Sequence, residues 1–200
     1  IPKRDWSSDV CSSDLFVVAL GDCVILGPEP VGLLSRMMQA HAEHAAAATI
    51  AVQTVAPRDT TRYGIVAPAK EAEGGALRLC DIVEKPGPER SPSNLAVCAR
   101  YVFSPEVFAH LRATAPGHAG EIQLTDAIRS MIADGLPVYA IPLCPGEERL
   151  DVGNQQSYAK AFIRVALAHP ELGGELRQYA LGLLTGAQDD GETAERGREK

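Results

Sequence analysis

The stretch "LRLCDIVEKPGPERSPSNLAVCARYVF", residues 77–103, places two apolar runs on either side of a loop rich in Pro, Ser and Gly. Each run is short, carries β-branched residues, with aromatics as well in the second, and is bounded by turn formers, so 77–84 and 95–103 are predicted strands. The first strand stops abruptly at Glu84, Lys85 and Pro86. An acid and a base side by side at such a place read either as a solvated loop entrance or as a binding site at a strand end. In the second reading the carboxylate takes hydroxyl groups and the ammonium takes an anion.

The flanking sequence sets these strands in a repeating pattern. Upstream, "FVVAL" (16–20) is a continuous apolar run, the expected form of a strand buried on both faces. "GDCVILGPEP" (21–30) reads as a loop, and residues 30–47 carry Leu34, Met37, Met38, His41 and Ala45 at helical spacing. His41 and His44 are read as helix surface rather than as metal ligands. "ATIAVQTVA" (48–56) is a predicted strand, and "RDTTRYGIVAPAKEAEGGA" (58–76) a loop around a short extended piece. Downstream, Pro105 suits the first position of a helix over 105–114. A second helix over 121–135 shows a stripe through Leu124, Ile128, Met131 and Ile132, stopped by Gly135. "LPVYAIPL" (136–143) is a strand, and helices follow over 154–170, entered from Asn154, and over 171–183. Strands alternating with helices predict an α/β sheet sandwiched by helices, with no repeat and no internal linker.

Composition narrows the function classes. The 200 residues are 46% apolar and 22% charged, ordinary for one soluble globular domain. A net charge of −7 argues against non-specific binding to nucleic acid or to anionic membranes. No apolar run is long enough to span a bilayer, and no secretory signal pattern is present. Five scattered cysteines without metal-ligand spacing fit a reduced, cytoplasmic setting. Residues 1–15, "IPKRDWSSDVCSSDL", repeat a short phrase, hold the only Trp and resemble a translated sequencing adapter; they are expected to be non-native. Residues 184–200 are expected to be a disordered polar tail.

In open α/β sheets, ligands gather at the carboxyl ends of strands. Asp22, Glu84 and Asp151 sit at such ends. Two carboxylates on separate loops, each within two residues of a glycine as Asp22 (Gly21) and Asp151 (Gly153) are, suit one Mg²⁺ whose other positions go to water and phosphate. Each Asp equally suits a turn or a helix cap, and spacing leaves both readings open.

The order of short motifs goes further. "LGD" (20–22), "YGI" (63–65), "VEKP" (83–86), "SNLAV" (93–97), "GEIQLTDAI" (120–128) and "DVGN" (151–154) follow one another along the chain. This series resembles the bacterial UTP–glucose-1-phosphate uridylyltransferase family, from residue 16 to about residue 180. "PSNLAV" followed by "GEIQLTDAI" is the most specific part. The resemblance implies a Rossmann-like, GT-A-like mixed sheet flanked by helices, and transfer of a uridylyl group from UTP to glucose 1-phosphate, giving UDP-glucose and pyrophosphate. It implies Mg²⁺ held by Asp22 and Asp151, which with Lys85 form the catalytic set. Lys85 matches the lysine that neutralises the sugar phosphate, and Glu84 the carboxylate that receives glucose hydroxyls. Gly64 and the backbone at Val97 match positions close to the sugar, and Thr125 and Glu121 a segment beside it; helix capping is the alternative for this last pair. A cytoplasmic homo-oligomer is implied as well.

Two departures from the family stand out. The glycine-rich strand-to-helix segment that cradles the nucleotide is not seen, so residues 16–183 are expected to be the C-terminal part of the domain, without its first nucleotide-binding strands and inactive alone. Cys23 also stands where the family places a second Asp. The competing readings are a thymidylyl- or adenylyltransferase acting on glucose 1-phosphate, and a non-catalytic sugar-phosphate-binding module of the same fold.

Overall fold

A computed structural model describes residues 15–28, 32–73, 75–117 and 120–186. The segment expected to be non-native lies outside them but for Leu15, as does the polar tail from 187 onward. The chain divides into two compact units, Ile1–Arg149 and Leu150–Lys200.

The first unit is built on strands β1 (Phe16–Ala19), β2 (Cys23–Leu26), β3 (Ala48–Thr54), β4 (Gly64–Glu73), β5 (Ala76–Glu84), β6 (Leu95–Phe103) and β7 (Val138–Pro142), with helices α1 (Gly32–Glu43), α2 (Val107–Ala113) and α3 (Leu124–Ala133). Six strands form one sheet in the order β1-β6-β3-β7-β5-β4. Only β3 and β7 run parallel among its pairings, so the sheet is mixed.

The central strands read as predominantly apolar runs because both their faces are covered. Ile50 and Val52 of β3, Val138 and Ala140 of β7, and Val97, Tyr101 and Phe103 of β6 point to one side, against Val107, Ile128 and Met131 of α2 and α3. Their neighbours Ala51, Cys98, Val102, Tyr139 and Ile141 point to the other side, against Leu33, Met37 and Ala40 of α1. This two-residue alternation under helices is the expected sandwich. Burying a side chain such as Ile50 stabilises by about 1.5–3 kcal/mol relative to exposure.

Several elements differ from the sequence reading. Among the described residues "FVVAL" is an edge strand paired with β6 only, and its side chains alternate between half-buried and exposed, with Val17 43% exposed. A short apolar run cannot by itself distinguish an edge from a centre. The expected loop at 21–30 contains β2. The expected loop at 58–76 holds a 3₁₀ turn (Pro57–Thr61) and then the ten-residue β4. Pro68 lies where the β4–β5 register shifts, which accommodates a residue without an amide hydrogen in a strand at the sheet's end. In α1 the buried residues are Leu33, Met37, Ala40 and His41, whereas Met38 is exposed and Ala45 follows the helix. His41 is therefore not on the surface: its ring nitrogens face Thr49 Oγ1 at 3.1 Å and Ser104 Oγ at 3.0 Å. His44 stacks on Tyr139 with centroids 4.3 Å apart. Pro105 precedes α2 by two residues and accepts from the Phe108 amide.

Strand β8 (Glu148–Asp151) crosses the division between the units. In the second unit, α4 (Gln155–Ala168) is entered from Asn154 as expected. The Asn154 side chain accepts from the Ser157 amide, and Ser157 returns a bond to the Asn154 amide. Helix α5 (Gly173–Thr185) runs two residues beyond the expected end, into the predicted tail, and closes on Gly186 at φ +71°.

Candidate active site

Glu84 is the last residue of β5, and the antiparallel register sets it opposite Gly64, the first residue of β4. Thr125, in the first turn of α3, donates from Oγ1 to Glu84 Oε2 at 2.7 Å. Gly64 leaves the room for this contact, because a Cβ there would lie 3.1 Å from Glu84 Oε2 and 3.3 Å from Thr125 Oγ1. One carboxylate oxygen is thus fixed by a helix and a strand together. The other, Oε1, lies 3.4 Å from Lys85 Nζ.

Lys85 turns the chain out of β5. Its backbone is left-handed, φ +45°, and its amide donates to Tyr63 O at 3.1 Å. A non-glycine residue in this region is strained, and such positions gather at functional sites. The Lys85 side chain is half exposed, so the ion pair with Glu84 contributes little to stability. Glu84, Lys85, Gln123 and Asp126 line a cavity of about 280 Å³. It offers two carboxylates and an amide oxygen as acceptors, with a single ammonium at one side. Polyols are held by such acceptors, and an attached anion by the ammonium. The N-terminus of α3 adds a positive dipole end on which Asp126 sits.

The structure therefore brings four predicted residues together: Gly64, Glu84, Lys85 and Thr125. The Val97 side chain is 9% exposed and packs in the main core, so what β6 can offer there is the Val97 backbone. Glu121 is exposed ahead of α3, where its carbonyl accepts from the Gly117 amide at 2.8 Å. The capping alternative does not describe this pair. The N-cap of α3 is Gln123, without a side-chain cap bond, and the Thr125 hydroxyl is spent on Glu84.

Asp22 lies exposed in the turn between β1 and β2. Its charge and that of Glu84 both reach the buried phenol of Tyr101, whose pKa is pushed up first by burial and then by these carboxylates. Beside Asp22, burial pushes the Cys23 thiol up, against the opposing pull of Arg149 and Arg100, so the thiol stays neutral. Asp151 belongs to the second unit, where its Oδ1 accepts from the Gly153 amide at 2.8 Å.

Sequence reasoning missed Gln123 and Asp126, although both stand in the quoted "GEIQLTDAI". It also missed Arg149, whose guanidinium lies 4.9 Å from the centre of the Tyr63 ring. Arg149 Nε is buried without a hydrogen-bond partner among the described residues. No spacing rule connects a tyrosine and an arginine so far apart in the chain; only the "RYG" context, an aromatic next to Gly64, hinted at it.

The chain is 38% identical over 170 residues to the UTP–glucose-1-phosphate uridylyltransferase of Streptococcus pneumoniae, a match that takes in 84% of this chain and 56% of that protein. Among solved structures, UTP-bound UGPase from Acinetobacter baumannii superposes with a TM-score of 0.73 at 35% identity, over 86% of this chain and 57% of that one. A UDP-glucose pyrophosphorylase complexed with UDP-glucose superposes with a TM-score of 0.68 at 31% identity, over 75% and 55%. The chain spans about half the length of the curated relatives it matches. The nucleotidyl transferase family model matches residues 6–166, and with the mixed sheet and flanking helices already described, the chain belongs to the nucleotidyl transferase family.

Proposed function

We propose that the chain is part of a UTP–glucose-1-phosphate uridylyltransferase. In that reaction a phosphate oxygen of glucose 1-phosphate attacks the α-phosphorus of UTP. The bond to the β-phosphate breaks, and UDP-glucose and pyrophosphate leave. The observation that carries the reading is the Glu84 carboxylate, pinned by Thr125 over a glycine and set beside Lys85 at a cavity rim. Glu84, with Gln123 and Asp126, accepts hydroxyls of the hexose, and Lys85 pairs with its phosphate. Little covalent work falls to such a protein, which aligns two polyanions and offsets their charge.

The donor chemistry also fits Mg²⁺. Asp22 offers an exposed carboxylate and Asp151 a second, both hard oxygen ligands, while the neutral Cys23 thiol does not compete as a soft ligand. Asp22, and on the family resemblance alone Asp151, are proposed as ligands of the ion, which when bound neutralises phosphate charge. Glu121 and the Val97 backbone complete the set as margins of the sugar site. The reading extends to a cytoplasmic homo-oligomer in carbohydrate metabolism. Among the described residues no helix is long and apolar enough to cross a membrane.

Calorimetric titration of glucose 1-phosphate into the chain tests the site. Binding is expected, to be weakened by Glu84→Ala and by Lys85→Ala, with Lys85→Ala weakening inorganic phosphate as well. Wild-type affinity in both variants overturns the assignment. In the full-length protein, UDP-glucose formation from UTP should collapse in Lys85→Ala.

A further inference from the structure

The turn that carries Asp22 is gripped from both ends by a bulge in β6. Opposite β3, Tyr101 pairs with Ile50 and Val97 with Val52, so a four-residue step on β6 faces a two-residue step on β3. The extra length is looped out at Cys98–Ala99–Arg100, where Ala99 is left-handed at φ +54°. The bulge turns three groups toward the Leu20–Cys23 turn. Ala99 O accepts from the Leu20 amide at 3.1 Å. Arg100 donates from Nη2 to Cys23 O at 2.7 Å and from Nη1 to Leu20 O at 3.3 Å, with Nη1 also held by Ala99 O at 2.9 Å. Cys98 O faces the Cys23 thiol at 3.6 Å, and Cys23 is only 3% exposed. Between these anchors only Gly21 and Asp22 project outward.

We propose that the Cys98–Arg100 bulge, acting through Arg100, positions the Asp22 carboxylate to receive a divalent cation. The inference rests on the reading of Asp22 as a metal ligand. Bulges are a recurrent means of re-aiming a side chain beside a site, and an exposed ligand must be held to within about 0.5 Å to bind well. The planar guanidinium bridges the carbonyls before and after Asp22 in one rigid fork. A lysine ammonium, a point charge on a flexible stem, cannot reproduce this. Arg100 is a positioning residue here: three of its five N–H donors go to backbone oxygens of this turn and bulge.

The test measures Mn²⁺ affinity by electron paramagnetic resonance, and hydrogen exchange of the Leu20–Cys23 amides, in the intact chain. Arg100→Ala is expected to weaken Mn²⁺ binding about tenfold and to release the Leu20 amide, while the melt stays cooperative. Arg100→Lys should not rescue either readout. Val17→Ala, which trims the same edge strand without touching the clamp, should bind Mn²⁺ as the wild type does. If Arg100→Ala does not fold, Arg100→Lys and Ala99→Val make the same comparison. Wild-type Mn²⁺ affinity in Arg100→Ala, or full rescue by lysine, overturns the proposal. If Asp22→Asn weakens Mn²⁺ and Arg100→Ala does not, only the clamp is wrong. If Asp22→Asn leaves Mn²⁺ binding intact, the metal reading falls and takes the clamp with it.

Discussion

Thr125 Oγ1 donates to Glu84 Oε2 across 2.7 Å, tying the first turn of α3 to the last residue of β5. Without that donor the carboxylate keeps its charge and loses its aim. Thr125→Val preserves shape and removes only the hydroxyl, costing about 1–2 kcal/mol of ligand binding, or roughly tenfold in affinity for glucose 1-phosphate. Calorimetric titration measures it, and the melting temperature should hardly move.

Gly64 is the companion case. A methyl group there would sit 3.1 Å from Glu84 Oε2 and 3.3 Å from Thr125 Oγ1, tighter than ordinary contact, with no backbone strain involved. Gly64→Ala should displace the Glu84–Thr125 pair and weaken sugar-phosphate binding about tenfold. An unchanged affinity would mean that the pair can give way freely.

Lys85 separates charge from backbone. Its φ of +45° costs an L-residue about 1–2 kcal/mol, which glycine does not incur. Lys85→Gly and Lys85→Ala should both lose phosphate binding. Only the glycine variant should gain stability, by up to about 1 kcal/mol in urea titration, because alanine keeps the strained backbone.

His41 makes stability depend on pH. Burial holds its pKa below the ordinary 6.5, with the charge of Glu106 opposing the shift. Between the folded and unfolded values the unfolded chain binds the extra proton, so stability rises with pH. The full contribution is present above about 6.5 and is lost as pH falls through that value toward the folded one. Urea midpoints measured from roughly pH 7.5 to pH 5 should fall more steeply for the wild type than for His41→Gln.

The parts of the fold legible in sequence were those where local pattern and burial agree. β3, β6 and β7 are covered on both faces, so their predominantly apolar runs announced them. β1 has the same kind of run but lies at an edge, and nothing in five apolar letters encodes which neighbour is missing. β4 was hidden by its proline and charged residues, which a strand at the end of the sheet with a register shift tolerates. The phase of α1 slipped because its alanines carry almost no information about which face is inward; Ala40 is buried while Met38, the larger residue, is exposed. At the site, Glu84, Lys85, Gly64 and Thr125 could be found from short motifs. Arg100 and Arg149 could not, because their partners are fixed by tertiary approach rather than by chain spacing.

Tyr101 gives the protein a built-in optical gauge. Its ring is buried between the fields of two carboxylates, so neutralising either one alters the ring's surroundings without touching it. A cation arriving at Asp22 and a polyol arriving at Glu84 should each leave their own near-ultraviolet difference spectrum. Occupancy of the two places could then be followed separately, with no dye attached.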